Sequence, residues 1–357
     1  MAKDSSEDEQ AERNAPPERS SKEWLLRIRA RKGYQIGGSE VFRWSLALIL
    51  LAAVTVCPAQ KVDDFDYKLG VNVELVQLPV SVLDKNGFPV RGLQREHFAV
   101  YEDKVLQDIS LFKQEDIPLS VGLVIDASGS MSDKRDRLNI AAMTFVRESN
   151  PEDETSVVSF GDDVNLEQDF TTNTHKLSRA LDGIPSNGNT SLYDAVFLAA
   201  KHLQEAAFHE KKVLLVVSDG EDNHSKYKLK EVLTAIKESK IILYTIGLLS
   251  PDPSGMYTDT GKKVLKQLAE VTGGASFFPK NINDAEEVCR RIARDLRNQY
   301  TIGYRPSNDK LDGSWRKVLV QVSPPKSVAK VKVRTKQGYY APVAKESAEI
   351  TQRQRLK

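Results

Sequence analysis

The chain has 357 residues, with 51 Lys and Arg against 50 Asp and Glu, two cysteines and five histidines. A hydrophobic content of 40% and a charged content of 28% exclude a multi-span membrane protein and a wholly disordered chain. Two cysteines exclude a disulfide framework and a four-cysteine zinc ribbon, and the balanced charge argues against binding nucleic acid along the whole chain. At about 100–200 residues per domain, the length predicts two domains.

Residues 1–40 are polar and charged without apolar periodicity, the composition of a disordered prefix. Arg43 then precedes an apolar run over 44–56 that includes Leu46, Leu48, Ile49, Leu50, Leu51 and Val54. A bilayer span takes about 20 apolar residues, and this run is shorter. With the small residues Cys57 and Ala59 behind it, residues 41–59 read as a secretory signal cleaved after Ala59. The alternative is an uncleaved single-span anchor. Both readings put the rest of the chain outside the cytoplasm, secreted or periplasmic, with membrane contact only through this segment. A translation start near Val41 would account for the long prefix.

A β-rich flank follows over 68–116. Val71, Val73 and Leu75 alternate, then Leu78, Val80 and Val82, with a phase slip near Val76 that predicts a bulge. Asp84-Lys85-Asn86-Gly87 signals a turn. Further strands are predicted at Phe98–Tyr101 and Val105–Phe112. The style returns over 300–342, with strands at Tyr300–Tyr304, Val318–Val322 and Val331–Val333, before a polar tail at 343–357. Neither flank alone carries enough strands for a closed core. The two are therefore predicted to form one β-sandwich with the middle domain inserted between them. Two small separate sheets are the alternative.

The middle, 117–299, reads as α/β. Residues 119–125 form an apolar run that ends at Asp126, and a helix is predicted over 135–148 with Leu138, Ala141, Ala142, Phe145 and Val146 inward. Strands follow at Ser156–Phe160 and near Val164–Leu166, a helix at Leu192–Glu205, a strand at Val213–Val217, a helix at Leu229–Ser239 and a strand at Ile241–Ile246. Near the end, Ala285, Val288, Cys289, Ile292 and Leu296 form a helical stripe, which makes Cys289 a packing residue. Continuous apolar strands alternating with helices predict a doubly wound, mostly parallel sheet, inserted into or flanked by the small β-sandwich. Ligands of such sheets bind at the carboxyl ends of strands, where Asp126 and Asp219 fall.

Asp126-Ala127-Ser128-Gly129-Ser130 presents a carboxylate and two hydroxyls on alternate residues, and Gly129 permits a tight loop that turns them inward. Gly188-Asn189-Thr190-Ser191 adds a hydroxyl, and Asp219-Gly220-Glu221-Asp222 adds a carboxylate. An all-oxygen set with only two carboxylates suits a hard divalent cation that keeps some water, Mg²⁺ first and Mn²⁺ next. Neutral hydroxyls leave such an ion electron-poor, so it favours an incoming carboxylate from a protein or peptide ligand. The alternative is a surface turn whose hydroxyls cap the next helix.

Asp126, Ser128 and Ser130, then Thr190, then Asp219 resemble the metal-ion-dependent adhesion site of von Willebrand factor type A (VWA) domains, over roughly 117–299. The resemblance implies Ser128 and Ser130 as direct metal ligands, and Asp126, Thr190 and Asp219 as direct or water-mediated ones. The flanks look like those of a bacterial subgroup of secreted VWA-related proteins. Asp84–Leu93 fits that subgroup's Asp-x-x-Gly-x-x-Val-x-Gly-Leu segment, and Gly338-Tyr339 its later Gly-Tyr.

Enzymatic activity is not expected. The chain has no Gly-x-Ser-x-Gly elbow and no phosphate-binding GxxxxGK[ST] loop. Histidines 97, 175, 202, 209 and 224 are scattered without an HExxH arrangement. Asp194 reads as a hydrogen-bonding residue behind the ligands or a helix-start residue rather than a ligand. The expected function is extracytoplasmic adhesion through a metal–carboxylate bridge. A second reading makes the chain a scaffold or accessory subunit of an envelope complex, with a structural metal. A metal-dependent hydrolase ranks last, because nothing stands out as its general base.

Overall fold

The computed structural model describes residues 75–249, 259–325, 328 and 330–343. The polar prefix, the signal or anchor segment, the alternation at Val71 and Val73 and the tail beyond 343 lie outside the described residues. The predicted bulge near Val76 falls at their edge.

The middle of the chain forms a six-stranded sheet. Its strands are β5 (Ser120–Asp126), β6 (Glu154–Phe160), β7 (Val164–Thr171), β8 (Lys212–Ser218), β9 (Ile241–Gly247) and β10 (Ser276–Phe277), in the order β10-β9-β8-β5-β6-β7. All pairings are parallel except that of the edge strand β7, which runs antiparallel to β6. Alternate residues of each buried strand serve opposite faces. On β8, Val213, Leu215 and Val217 join a core with helices α1 (Arg135–Glu148), α2 (Thr174–Asp182) and α6 (Ala285–Leu296). Leu214 and Val216 join the opposite core with α3 (Leu192–Ala206), α4 (Leu229–Glu238) and α5 (Asp259–Glu270). This two-sided cover is why these strands read as unbroken apolar runs. Cys289 is 1% exposed in the first core, where burial pushes its thiol up to about 12.

Two four-stranded antiparallel sheets complete the fold. β1 (Val76–Leu83), β4 (Ile109–Lys113), β11 (Tyr300–Tyr304) and β13 (Lys332–Arg334) form one, ordered β13-β1-β11-β4. β2 (Phe98–Glu102), β3 (Val105–Gln107), β12 (Trp315–Val322) and β14 (Gly338–Tyr340) form the other, ordered β14-β12-β2-β3. Each sheet draws strands from both flanks, and Leu78, Val80 and Ile302 share one core with Phe98, Val100, Val318 and Val320. The flanks thus make a single sandwich around the inserted α/β unit, rather than two separate sheets.

One predicted strand is corrected. Val105–Phe112 is two strands, because the chain crosses from one sheet to the other at exposed Asp108, between buried Gln107 and Ile109. Before it, Asp103 and Lys104 take positive φ (46° and 74°) in a two-residue hairpin that matches the twist of its strands.

The sandwich is seated on the α/β unit along a polar seam. The Arg334 guanidinium pairs with the Asp295 carboxylate, which also accepts from Tyr244 Oη at 2.7 Å. Gln299 Nε2 reaches Ser81 Oγ at 3.1 Å. Lys237 Nζ sits 3.6 Å from the Trp315 ring centroid, and Lys336 Nζ donates to Ser239 O at 2.6 Å.

Burial pushes the Lys336 ammonium down to about 8, and that of Lys211, which donates to Leu296 O at 2.6 Å, also to about 8. Below pH 8 both lysines are charged folded and unfolded, and the burial penalty is fully present. Above it the folded chain holds fewer protons than the unfolded one, whose lysines titrate near 10.5, so stability rises with pH. Cys289 acts oppositely above its ordinary value of 9.0, because the unfolded thiol then ionises first. The melting temperature is therefore expected to rise between about pH 8 and 9, and Lys211→Met to flatten the rise. A pH series of thermal melts checks this; a fall across that window contradicts it.

Candidate metal centre

β5 and β8 are neighbours whose following connections run in opposite directions, β5 towards β6 and β8 towards β9. This is a topological switch point, where the carboxyl ends of parallel strands leave a crevice. Asp126 ends β5 and Asp219 directly follows β8.

Asp126 is fully buried. Its Oδ1 accepts from Ser128 N at 2.9 Å, folding the chain back after the strand, and its Oδ2 accepts from Ser218 Oγ at 2.7 Å. Burial raises its pKa, opposed by the hydrogen bonds from Ser128 and Ser218. Ser128 Oγ lies 3.1 Å from Ser130 Oγ, and Ser130 Oγ donates to Asp219 Oδ2 at 2.8 Å. The two serines and two carboxylates are therefore contiguous. Ser130 alone of the five predicted ligands is exposed; Ser128, Thr190 and Asp219 are buried.

Thr190 arrives on a second loop. Its N–H donates to Asn223 Oδ1 at 2.9 Å, and its carbonyl accepts from the amides of Asn223 and His224. This ties it to the segment after Asp219. Among the described residues no partner takes up its hydroxyl. The loop is joined to the first by Asn187 N to Ala127 O at 2.9 Å and by Gly129 N to Gly188 O at 3.4 Å.

Gly129 does not supply the bend of the first loop. Gly129 has an ordinary φ, and a Cβ there would meet nothing closer than 4.0 Å; the Asp126 carboxylate and a tight turn from Ser128 O to Met131 N make the bend instead. Gly188 (φ +82°) and Gly220 (φ +85°) are the glycines the site needs. A Cβ would lie 2.5 Å from Asp162 Oδ2 at the first and 2.5 Å from Gly261 O at the second.

Several supporting residues lie outside the five expected ligands. Ser218 bridges the Asp126 carboxylate and the Gly220 amide (3.0 Å). Asp162 accepts from both the backbone N–H and the side-chain amide of Asn189, which hold its carboxyl below the usual range. Arg135 donates to Asp126 O and Ser186 Oγ. The one sequence cue to Arg135 is its place in line with Leu138 and Ala142 on the buried face of α1. Asp194 Oδ1 accepts from the amides of Lys226 and Tyr227, both at 2.9 Å, and so anchors a loop. His202 is a packing residue, 3.0 Å from Asp169 Oδ1 and stacked on Phe170.

Residues 121–221 match the family model of the von Willebrand factor type A domain; this segment of the chain is a VWA domain. No curated protein matches the chain. Three solved structures are among those similar to it. An aerotolerance-related membrane protein from Bacteroides fragilis is 17% identical over 50% of this chain and 98% of its own, with a TM-score of 0.42. A von Willebrand factor type A protein from Catenulispora acidiphila is 11% identical over 78% of this chain and 76% of its own, TM-score 0.44. Proximal thread matrix protein 1 from the mussel byssus, solved with a zinc-occupied MIDAS motif, is 14% identical over 55% of this chain and 49% of its own, TM-score 0.42. Likenesses at this level carry no functional weight.

Proposed function

We propose that the VWA domain holds a divalent cation, Mg²⁺ first and Mn²⁺ next, through Asp126, Ser128, Ser130, Thr190 and Asp219, and thereby binds a carboxylate of a protein or peptide ligand. The observation that carries this reading is the convergence of the Ser128, Ser130 and Asp219 oxygens beside the buried Asp126 carboxylate. The donor set fits the ion. It is all oxygen, holds two carboxylates, and suits a hard cation that keeps exchangeable water. A buried carboxylate whose ionised form is disfavoured also gains from a nearby positive charge.

When bound, the cation supplies a Lewis-acidic position that a ligand carboxylate can enter. The residues do the rest. Ser218 and the Ser128 amide orient Asp126, the Asn223 side chain and backbone hold Thr190, and exposed Ser130 lies at the mouth. The proposed role is binding without chemistry. The proposed setting is extracytoplasmic, on the strength of the apolar run at 44–56 and the small residues after it. Among the described residues no helix is long and apolar enough to cross a membrane.

The test is a selection of displayed peptides on the immobilised protein in Mg²⁺. The selected peptides are expected to carry Asp or Glu. They are expected to lose binding in EDTA, on Asp126→Ala and when their carboxylates are amidated. Peptides held equally in EDTA and by the variant contradict the reading.

A further inference from the structure

Arg135 opens α1 on its buried face and is 9% exposed. Its Nη2 donates to the backbone carbonyl of Asp126 at 2.8 Å, and its Nε donates to Ser186 Oγ at 2.9 Å. The first acceptor belongs to the segment that carries Asp126, Ser128 and Ser130. The second belongs to the loop that carries Thr190. One planar guanidinium thus spans the two stretches of chain that must be brought together. The third nitrogen, Nη1, is buried and has no hydrogen-bond partner among the described residues. A cationic donor left in that state is unfavourable, and an apolar side chain in line with Leu138 and Ala142 would pack there without the penalty. The guanidinium charge also favours the buried Asp126 carboxylate, so Arg135 acts on the Asp126 segment through charge as well as through hydrogen bonds.

We propose that Arg135 is a positioning residue for the cation site. It sets the spacing between the Asp126–Ser130 segment and the Thr190 loop, so that their oxygens converge before a cation arrives. The proposal rests on the metal reading above. It concerns the support of the ligands, because Arg135 itself offers no acceptor to a cation. A lysine would keep the charge but lose the rigid fork that reaches both acceptors at once. Groups that orient metal ligands typically change affinity by 10–100-fold when replaced.

The experiment measures Mg²⁺ and Mn²⁺ binding by titration calorimetry on the wild type, Arg135→Lys and Ser186→Ala. It adds amide hydrogen exchange of residues 187–190 in the metal-free proteins. Arg135→Lys is expected to weaken Mg²⁺ binding about tenfold or more and to speed exchange across 187–190. Ser186→Ala, which removes one acceptor and leaves α1 intact, is expected to shift both readouts the same way by less, and it carries the test if the lysine variant does not fold. Wild-type affinity and exchange in both variants, even with a lowered melting temperature, overturn the proposal and reduce Arg135 to a packing residue. A wild type that binds neither cation overturns the metal reading and this proposal with it. Wild-type binding with unchanged variants overturns this proposal alone.

Discussion

Asp295→Ala is expected to lower the free energy of unfolding by about 3–5 kcal/mol, the usual cost of stranding one member of a buried ion pair. Asp295 and Arg334 have side chains only 6% and 12% exposed. The carboxylate also accepts from Tyr244 Oη, and Gln299 extends the network from Tyr244 to Ser81. Without Asp295 the guanidinium is left in a site that already gives its Nε no hydrogen-bond partner among the described residues. The network joins α6 and β9 of the α/β unit to β1 and β13 of the sandwich, so the loss loosens the two units from one another. Urea denaturation monitored by tryptophan fluorescence reads the effect. The double variant Asp295→Leu with Arg334→Met is expected to recover much of the loss, since no buried charge then remains. A loss below about 1 kcal/mol would place the pair among weak surface bridges and contradict the seam as described.

Mg²⁺ is expected to raise the melting temperature of the wild type and to leave that of Asp126→Ala unmoved. At a free concentration a hundred times the dissociation constant, binding to the folded state alone adds about 2.7 kcal/mol. For a unit of this size that corresponds to roughly 5–10 °C. Asp126 is chosen because its carboxylate organises two of the three segments. Oδ1 holds the Ser128 amide, and Oδ2 holds Ser218 beside Asp219. Ser130→Ala is a gentler partner experiment, because this side chain is exposed and its removal costs only the bonds to Ser128 and Asp219. It is expected to reduce the Mg²⁺ shift while the metal-free melting temperature stays close to wild type. An equal shift in Asp126→Ala would mean that the cation binds elsewhere.

The central strands were legible because burial on both faces leaves a plain mark. Leu119–Ile125, Val213–Val217 and Ile241–Ile246 read as apolar runs, and β5, β8 and β9 lie there. The ends of those runs located Asp126 and Asp219. Other elements left weaker marks. Helix α2 buries only Leu177 and Leu181 and starts from the Asn173 cap, so its stripe was too short to see. The break at Asp108 was hidden because both sides of it alternate in the same style. Strand alternation gives faces but not partners, so the pairing of Val76–Val80 with Tyr300–Tyr304 needed three dimensions. The motif exposed the oxygen donors, since they lie in short segments with recognisable spacing. It did not expose Arg135, which acts on a backbone carbonyl and on Ser186, and it assigned no role to Ser218, although that residue opens the Ser-Asp-Gly-Glu segment. The positive φ expected of Gly129 is found at Gly188 and Gly220 instead, because residue type reports what conformations are allowed and not which one is used.

The most direct measurement is anomalous diffraction from crystals grown or soaked with Mn²⁺. One strong peak is expected among Asp126, Ser128, Ser130, Thr190 and Asp219, with oxygen ligands at about the 2.0–2.6 Å of hard divalent cations. Its absence from crystals of Asp126→Ala is expected as well. Full Mn²⁺ loading with no peak in this crevice, or a peak that survives unchanged in Asp126→Ala, would contradict the account.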